Sequence, residues 1–169
     1  MFRPAIQRIE VLVAMAIFSL LVFYGASSLT VKVRQPAYDQ KIAAAQRMRK
    51  AMDVLKASRG EAAIFMDEVN DPNETGLIGR QFTYITTDEG DLDAKISILD
   101  PNVAGMIVDY LNRAGVQKGD PVAVTLTGSM PGGNLAVVCA LEEMGVVPYI
   151  LSSVGASQWG ANIEEFTWL

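Results

Sequence analysis

Histidine is absent from these 169 residues, and cysteine occurs once, at Cys139. Those two facts exclude Ser-His-Asp and Cys-His nucleophile–base pairs, histidine-ligated zinc, CxxC redox pairs and internal disulfides. Cations are missing from the carboxy-terminal third: no Lys or Arg follows Lys118, whereas residues 1–118 hold all 14. Asp and Glu balance those cations over the first 118 residues. Asp120, Glu142, Glu143, Glu164 and Glu165 therefore supply the whole formal charge of −5. A surface so poor in cations does not neutralise a phosphate backbone, and nucleic acid is excluded as a partner. Charged residues make up 20% of the chain and hydrophobic ones 50%, which excludes a disordered protein.

The apolar residues crowd into one segment. Val11–Leu29, VLVAMAIFSLLVFYGASSL, is 19 residues long and carries no charge. Spanning a bilayer core takes roughly 20 apolar residues at about 1.5 Å each, so the segment suffices as a transmembrane anchor. Arg3 and Arg8 precede it, and Lys32 and Arg34 follow it. This near-balance leaves the orientation open. A cleaved signal peptide is a second reading, with Ala26-Ser27-Ser28 as its cleavage site. A third rests on IEVLVAMAIFSLL, which resembles the amino-terminal helix of type IV pilins and pseudopilins. Ala5, Ile6 and Glu10 stand where that family has its pre-cleavage residue, new first residue and glutamate, although Gly and Phe are usual at the first two.

After Pro36, the residues Tyr38, Ile42, Ala45, Met48, Met52 and Leu55 recur at helical spacing and Gly60 supplies a stop. The segment 36–60 is expected to be an amphipathic helix packed on its own domain. The same spacing is a heptad seam, so self-association through Tyr38–Leu55, or through Val11–Leu29, is the alternative. Turn residues punctuate 67–95. Asp67, Glu68, Asp71 and Glu74 lack the alternation of a calcium loop and are expected to be solvated turn carboxylates.

From Asp100 the pattern becomes regular. Asp100 and Pro101 open a helix with Val103, Ile107, Tyr110, Leu111 and Ala114 on its apolar face. Pro121–Thr127 reads as a strand covered on both faces. Gly128–Asn134 leads into a helix over Leu135–Met144, with Leu135, Val138, Leu141 and Cys139 at its buried side. Val146–Leu151 is a second strand. The expected architecture is α/β: a transmembrane helix within 1–35, the amphipathic helix at 36–60, and a Rossmann-like parallel βαβ domain over 61–169.

Ligands of parallel sheets bind where strand ends and their loops meet. Two such loops are rich in Gly, Ser and Asn. Gly128, Ser129, Gly132, Gly133 and Asn134 of TGSMPGGN are candidate ligand-binding residues at a helix start, where anions are favoured. Ser153, Ser157, Trp159 and Asn162 are candidates from the second loop. A tight strand-to-helix turn without a ligand is the competing reading. Ser129 as a nucleophile would need a lysine or carboxylate from elsewhere. No catalytic residue, cofactor or metal is assigned.

KVRQPAYDQKIAAAQRMRKAMDVLK, GLIG at 76–79, DPNVAGMIVDYLNRAGVQKGDPVAV, TGSMPGGNLAV and SSVGASQWGANIEEFTWL together resemble the bacterial poly-gamma-glutamate system protein family. The likeness runs over residues 31–169, and SSVGASQWGAN followed by FTWL is its most specific part. The resemblance implies a single-pass membrane anchor, an extracytoplasmic α/β domain and an accessory role in polyglutamate capsule synthesis or export. Its partners would be the membrane and other polyglutamate-system proteins, and it implies no reaction. It also implies that the α/β domain is truncated at its carboxy terminus. An extracellular filament subunit is the alternative from the pilin-like segment. A ligand-binding or hydrolytic domain is a further one.

Overall fold

The computed structural model describes residues 8–31 and 33–169. Arg3, Ala5, Ile6 and Lys32, named above for the anchor flanks and the pilin-like motif, lie outside the described residues. The chain divides into two compact units, Met1–Gln35 and Pro36–Leu169.

In the first unit α1 runs from Ile9 to Ser28, with Glu10 in its first turn and no buried residue. It is apolar on all sides, the pattern of a helix that needs apolar surroundings everywhere. Its 20 residues make it long and apolar enough to cross a membrane, a criterion that a signal sequence also meets. The helix stops at Ser28, and the next helix in the chain begins at Tyr38.

Among the described residues, the second unit holds four helices and two small two-stranded sheets. α2 (Tyr38–Glu61) is followed by a long irregular segment, the short α3 (Leu92–Ser97) and α4 (Asn102–Arg113). Then come β1 (Pro121–Thr127), α5 (Pro131–Met144) and β2 (Val147–Ser153), closing with the two-residue strands β3 (Asn162–Ile163) and β4 (Phe166–Thr167). β1 and β2 pair in parallel from Pro121↔Val147 to Thr127↔Ser153, with α5 as the crossover. The result is a mixed α/β unit with a two-stranded parallel sheet.

α2, α4 and α5 pack on one another around Ala44, Met48, Ala104, Val108, Ala136, Cys139, Ala140 and Met144. Close approach dictates which face of α4 is buried. A Cβ at Gly105 would stand 3.0 Å from the Lys41 carbonyl oxygen, so the small-residue side of α4 meets α2. Tyr110 is consequently turned to solvent, 59% exposed, and not on the apolar face where its spacing placed it. Ala114 is exposed as well. Just ahead of α4, whose N-cap position is Pro101, Asp100 Oδ1 accepts the Asn102 N–H at 2.9 Å. Ion pairs tie the helices at their rims: Lys41 and Arg113 both reach Asp109, and Arg47 reaches Glu142 and Glu143. The cations hold the Asp109 carboxyl below the usual carboxylate range, Lys41 foremost through its hydrogen bond.

Two expectations need correction. β1 is covered on one face only: Val122 and Val124 pack against the helical core and Leu126 is buried, while Ala123, Thr125 and Thr127 are exposed. β2 leaves Tyr149, Ile150 and Leu151 exposed, and because successive strand residues point to opposite faces, both faces of this strand are largely uncovered. Asp71 is not a solvated turn carboxylate either. It is 2% exposed, and its oxygens accept the Thr75 hydroxyl and the Gly76 N–H. Asp67 behaves as expected of a turn residue, accepting from Val69, Asn70 N–H and the Asn70 amide.

Candidate functional site

The strands β1 and β2 end side by side at Thr127 and Ser153, and their following loops close on each other. Gly128 N–H donates to the Gly155 carbonyl at 2.9 Å, and Ala161 N–H donates to the Gly128 carbonyl at 2.7 Å. Ser157 N–H donates to Ser129 Oγ at 3.0 Å. Asn134, buried at the start of α5, donates through Nδ2 to the Thr127 carbonyl at 2.6 Å. These donors and acceptors, expected to face a ligand, face one another.

A third segment joins them. Asn162 is fully buried, its Oδ1 accepting from Arg80 N–H at 2.9 Å and its Nδ2 donating to Arg80 O at 2.7 Å and Thr86 Oγ1 at 2.9 Å. Trp159 exchanges both backbone bonds with the same strip: its N–H reaches Arg80 O at 2.9 Å and its carbonyl accepts from Gly79 at 3.2 Å. This doubly bonded strip holds Trp159 at φ 62°, a left-handed conformation that costs a bulky residue on the order of 1–3 kcal/mol. Contact here is so close that side chains are excluded. A Cβ on Gly79 would lie 1.9 Å from Gly160 O, and one on Gly160 would lie 2.6 Å from Gly128 O.

Gly128, Ser129, Ser157, Trp159 and Asn162 are thus brought together. Gly132 and Gly133 are not part of that cluster. They lie against Leu99 and Ile98, where a Cβ would come within 2.7 and 2.9 Å of those side chains, and so let α5 start against the α3–α4 connection. Ser153 sits exposed at the end of β2.

Lys95 completes the junction, and nothing in its sequence neighbourhood announces it. It is 2% exposed on the short α3, whose start Asp91 caps by accepting from Ala94 N–H at 3.0 Å. Its Nζ donates to the Ser129 carbonyl and to Ser157 Oγ, the latter at 2.9 Å. Among the described residues it has no carboxylate partner, and burial pushes its pKa below the ordinary lysine value. A serine hydroxyl beside a lysine amine is the raw material of a nucleophile–base pair. The backbone closes over it, however: a Cβ on Gly90 would lie 3.1 Å from Ser157 Oγ and 3.0 Å from Lys95 Cε. In this arrangement the lysine is a brace that ties both loops to α3. Among the described residues no cluster of three or more His, Cys, Asp or Glu is placed to hold a metal ion.

No family model matches this chain, and no curated protein or solved structure shows significant similarity to it.

Proposed function

We propose that this chain is a membrane-anchored accessory component of poly-γ-glutamate synthesis or export, with its second unit on the outer side of the membrane. One observation carries the reading. GLIG, TGSMPGGN and SSVGASQWGAN, the separated segments behind the family resemblance, are mutual neighbours through Gly79–Trp159, Gly128–Gly155 and Ser129–Ser157. Motifs that depend on one another for close packing are those a shared fold would need together. The apolar helix α1 supports the anchoring part of the proposal.

The fold part of the proposal is a Rossmann-like arrangement. Its support is the unbroken parallel register of β1 and β2 with α5 crossing between them. The zipped loops favour an accessory role over chemistry at that strand end, because the polar groups there are already satisfied within the chain.

Deleting the gene and measuring cell-bound and released polyglutamate tests the function. A changed amount or chain length, restored by complementation, is the expected result. Unchanged polymer in the deletion strain overturns it.

A further inference from the structure

Arg59 occupies the last turn of α2, where a cation ordinarily points to solvent and to the free carbonyls of the helix end. Here it turns inward and is 1% exposed. Nη1 donates to the carbonyls of Gly76 and Ile78, and Nη2 donates to that of Phe65. The guanidinium carbon lies 5.2 Å from the centroid of the Phe166 ring. The Nε–H is left without a partner. No ion pair neutralises the group among the described residues, and the nearby Asp71 spends its oxygens on Thr75 and Gly76. The buried Asp71 carboxylate acts on this cation from nearby, but the guanidinium's own hydrogen bonds go only to neutral carbonyls and its Nε–H is left over.

Arg59 lines a cavity of about 170 Å³ whose other walls include Leu55, Leu77, Pro131, Ile163 and Phe166. An apolar cavity of about 150 Å³ holds a benzene ring, so this one admits a body of roughly that size together with a small polar head. Half-buried Thr167 and Trp168 also line it and mark its way to the surface. The walls are mostly hydrocarbon, and Arg59 brings to them a guanidinium whose buried Nε–H has no partner. Inorganic phosphate would leave the apolar walls unused, and a plain hydrocarbon would leave the Nε–H unpaired.

We propose that this cavity binds a small monocarboxylate with an apolar body, of the size of benzoate or hexanoate, its carboxylate accepting from Arg59. The site is independent of the polyglutamate reading, whose polymer is densely charged and does not match apolar walls.

The test uses the full chain in lipid nanodiscs, titrated with 4-fluorobenzoate and followed by ¹⁹F NMR, with protein-free nanodiscs as the blank. Saturable binding above the blank, displaced by hexanoate, is expected. The neutral isostere 4-fluorobenzamide should bind at least about tenfold more weakly, because it lacks the charge that matches the guanidinium. Leu55→Phe, which fills the cavity with a ring, should weaken 4-fluorobenzoate binding by a similar factor. Absence of saturable binding, or equal binding of acid and amide, overturns the proposal, as does unchanged binding in a folded Leu55→Phe protein. Should that variant not fold, the acid–amide comparison on the unaltered chain decides alone.

Discussion

Replacing Lys95 by Met removes an ammonium that donates to Ser129 O and Ser157 Oγ while keeping most of its buried volume. Two buried acceptors lose their donor, at about 1–3 kcal/mol each when nothing replaces it. Against this, the variant no longer desolvates a charge. Burial lowers the Lys95 pKa in the folded chain, so the unfolded chain binds the extra proton between that lowered value and about 10.4. Wild-type stability contributed by Lys95 therefore rises with pH across that window and is flat below it. The gain is about 1.4 kcal/mol for each unit by which the pKa is lowered. The cost of Lys95→Met is accordingly smallest near pH 7, where it stays below the roughly 2–6 kcal/mol of two lost donors, and grows toward pH 10. Guanidinium unfolding of the full chain in detergent micelles, followed by tryptophan fluorescence, measures it, because both Trp159 and Trp168 lie in the unit that contains Lys95. A wild-type-minus-variant gap that stays constant or shrinks from pH 7 to pH 10 refutes the argument that a desolvated ammonium braces these loops.

Gly79→Ala should be among the most damaging single changes, since the added Cβ would stand 1.9 Å from a backbone oxygen and 2.2 Å from Asn162 Oδ1. A loss of about 3 kcal/mol or more is expected, read as a lowered guanidinium midpoint, and a midpoint within error of wild type would contradict the described contact. Leu20→Arg, near the middle of α1, adds about 2.5–3.5 kcal/mol to the cost of membrane insertion. Carbonate extraction of membranes should move the variant toward the soluble fraction, and unchanged retention would remove α1 as the anchor.

Local backbone chemistry made α1, α4, β1, α5 and β2 legible from residues alone. An uncharged run, the Asp100-Pro101 pair ahead of α4 and a glycine at the end of α5 act within a few residues, and the helices stop and start near them. Even so, α5 begins at Pro131 before its apolar periodicity does, and β2 extends to Ser153 because its pairing with β1 continues to Thr127. The abundance of Gly, Ser and Asn in the two strand-end loops was likewise visible as composition. What those residues face was not. Lys95 meets Ser157 across 62 positions and Arg80 meets Asn162 across 82, while Arg59 turns from a helix end into an apolar cavity. Helix propensity and hydrophobic period describe neighbours along the chain, whose geometry is set by covalent continuity. Whether a polar group points to solvent or to another loop depends on backbone segments that approach only after the helices have packed, and that is a property of the tertiary structure.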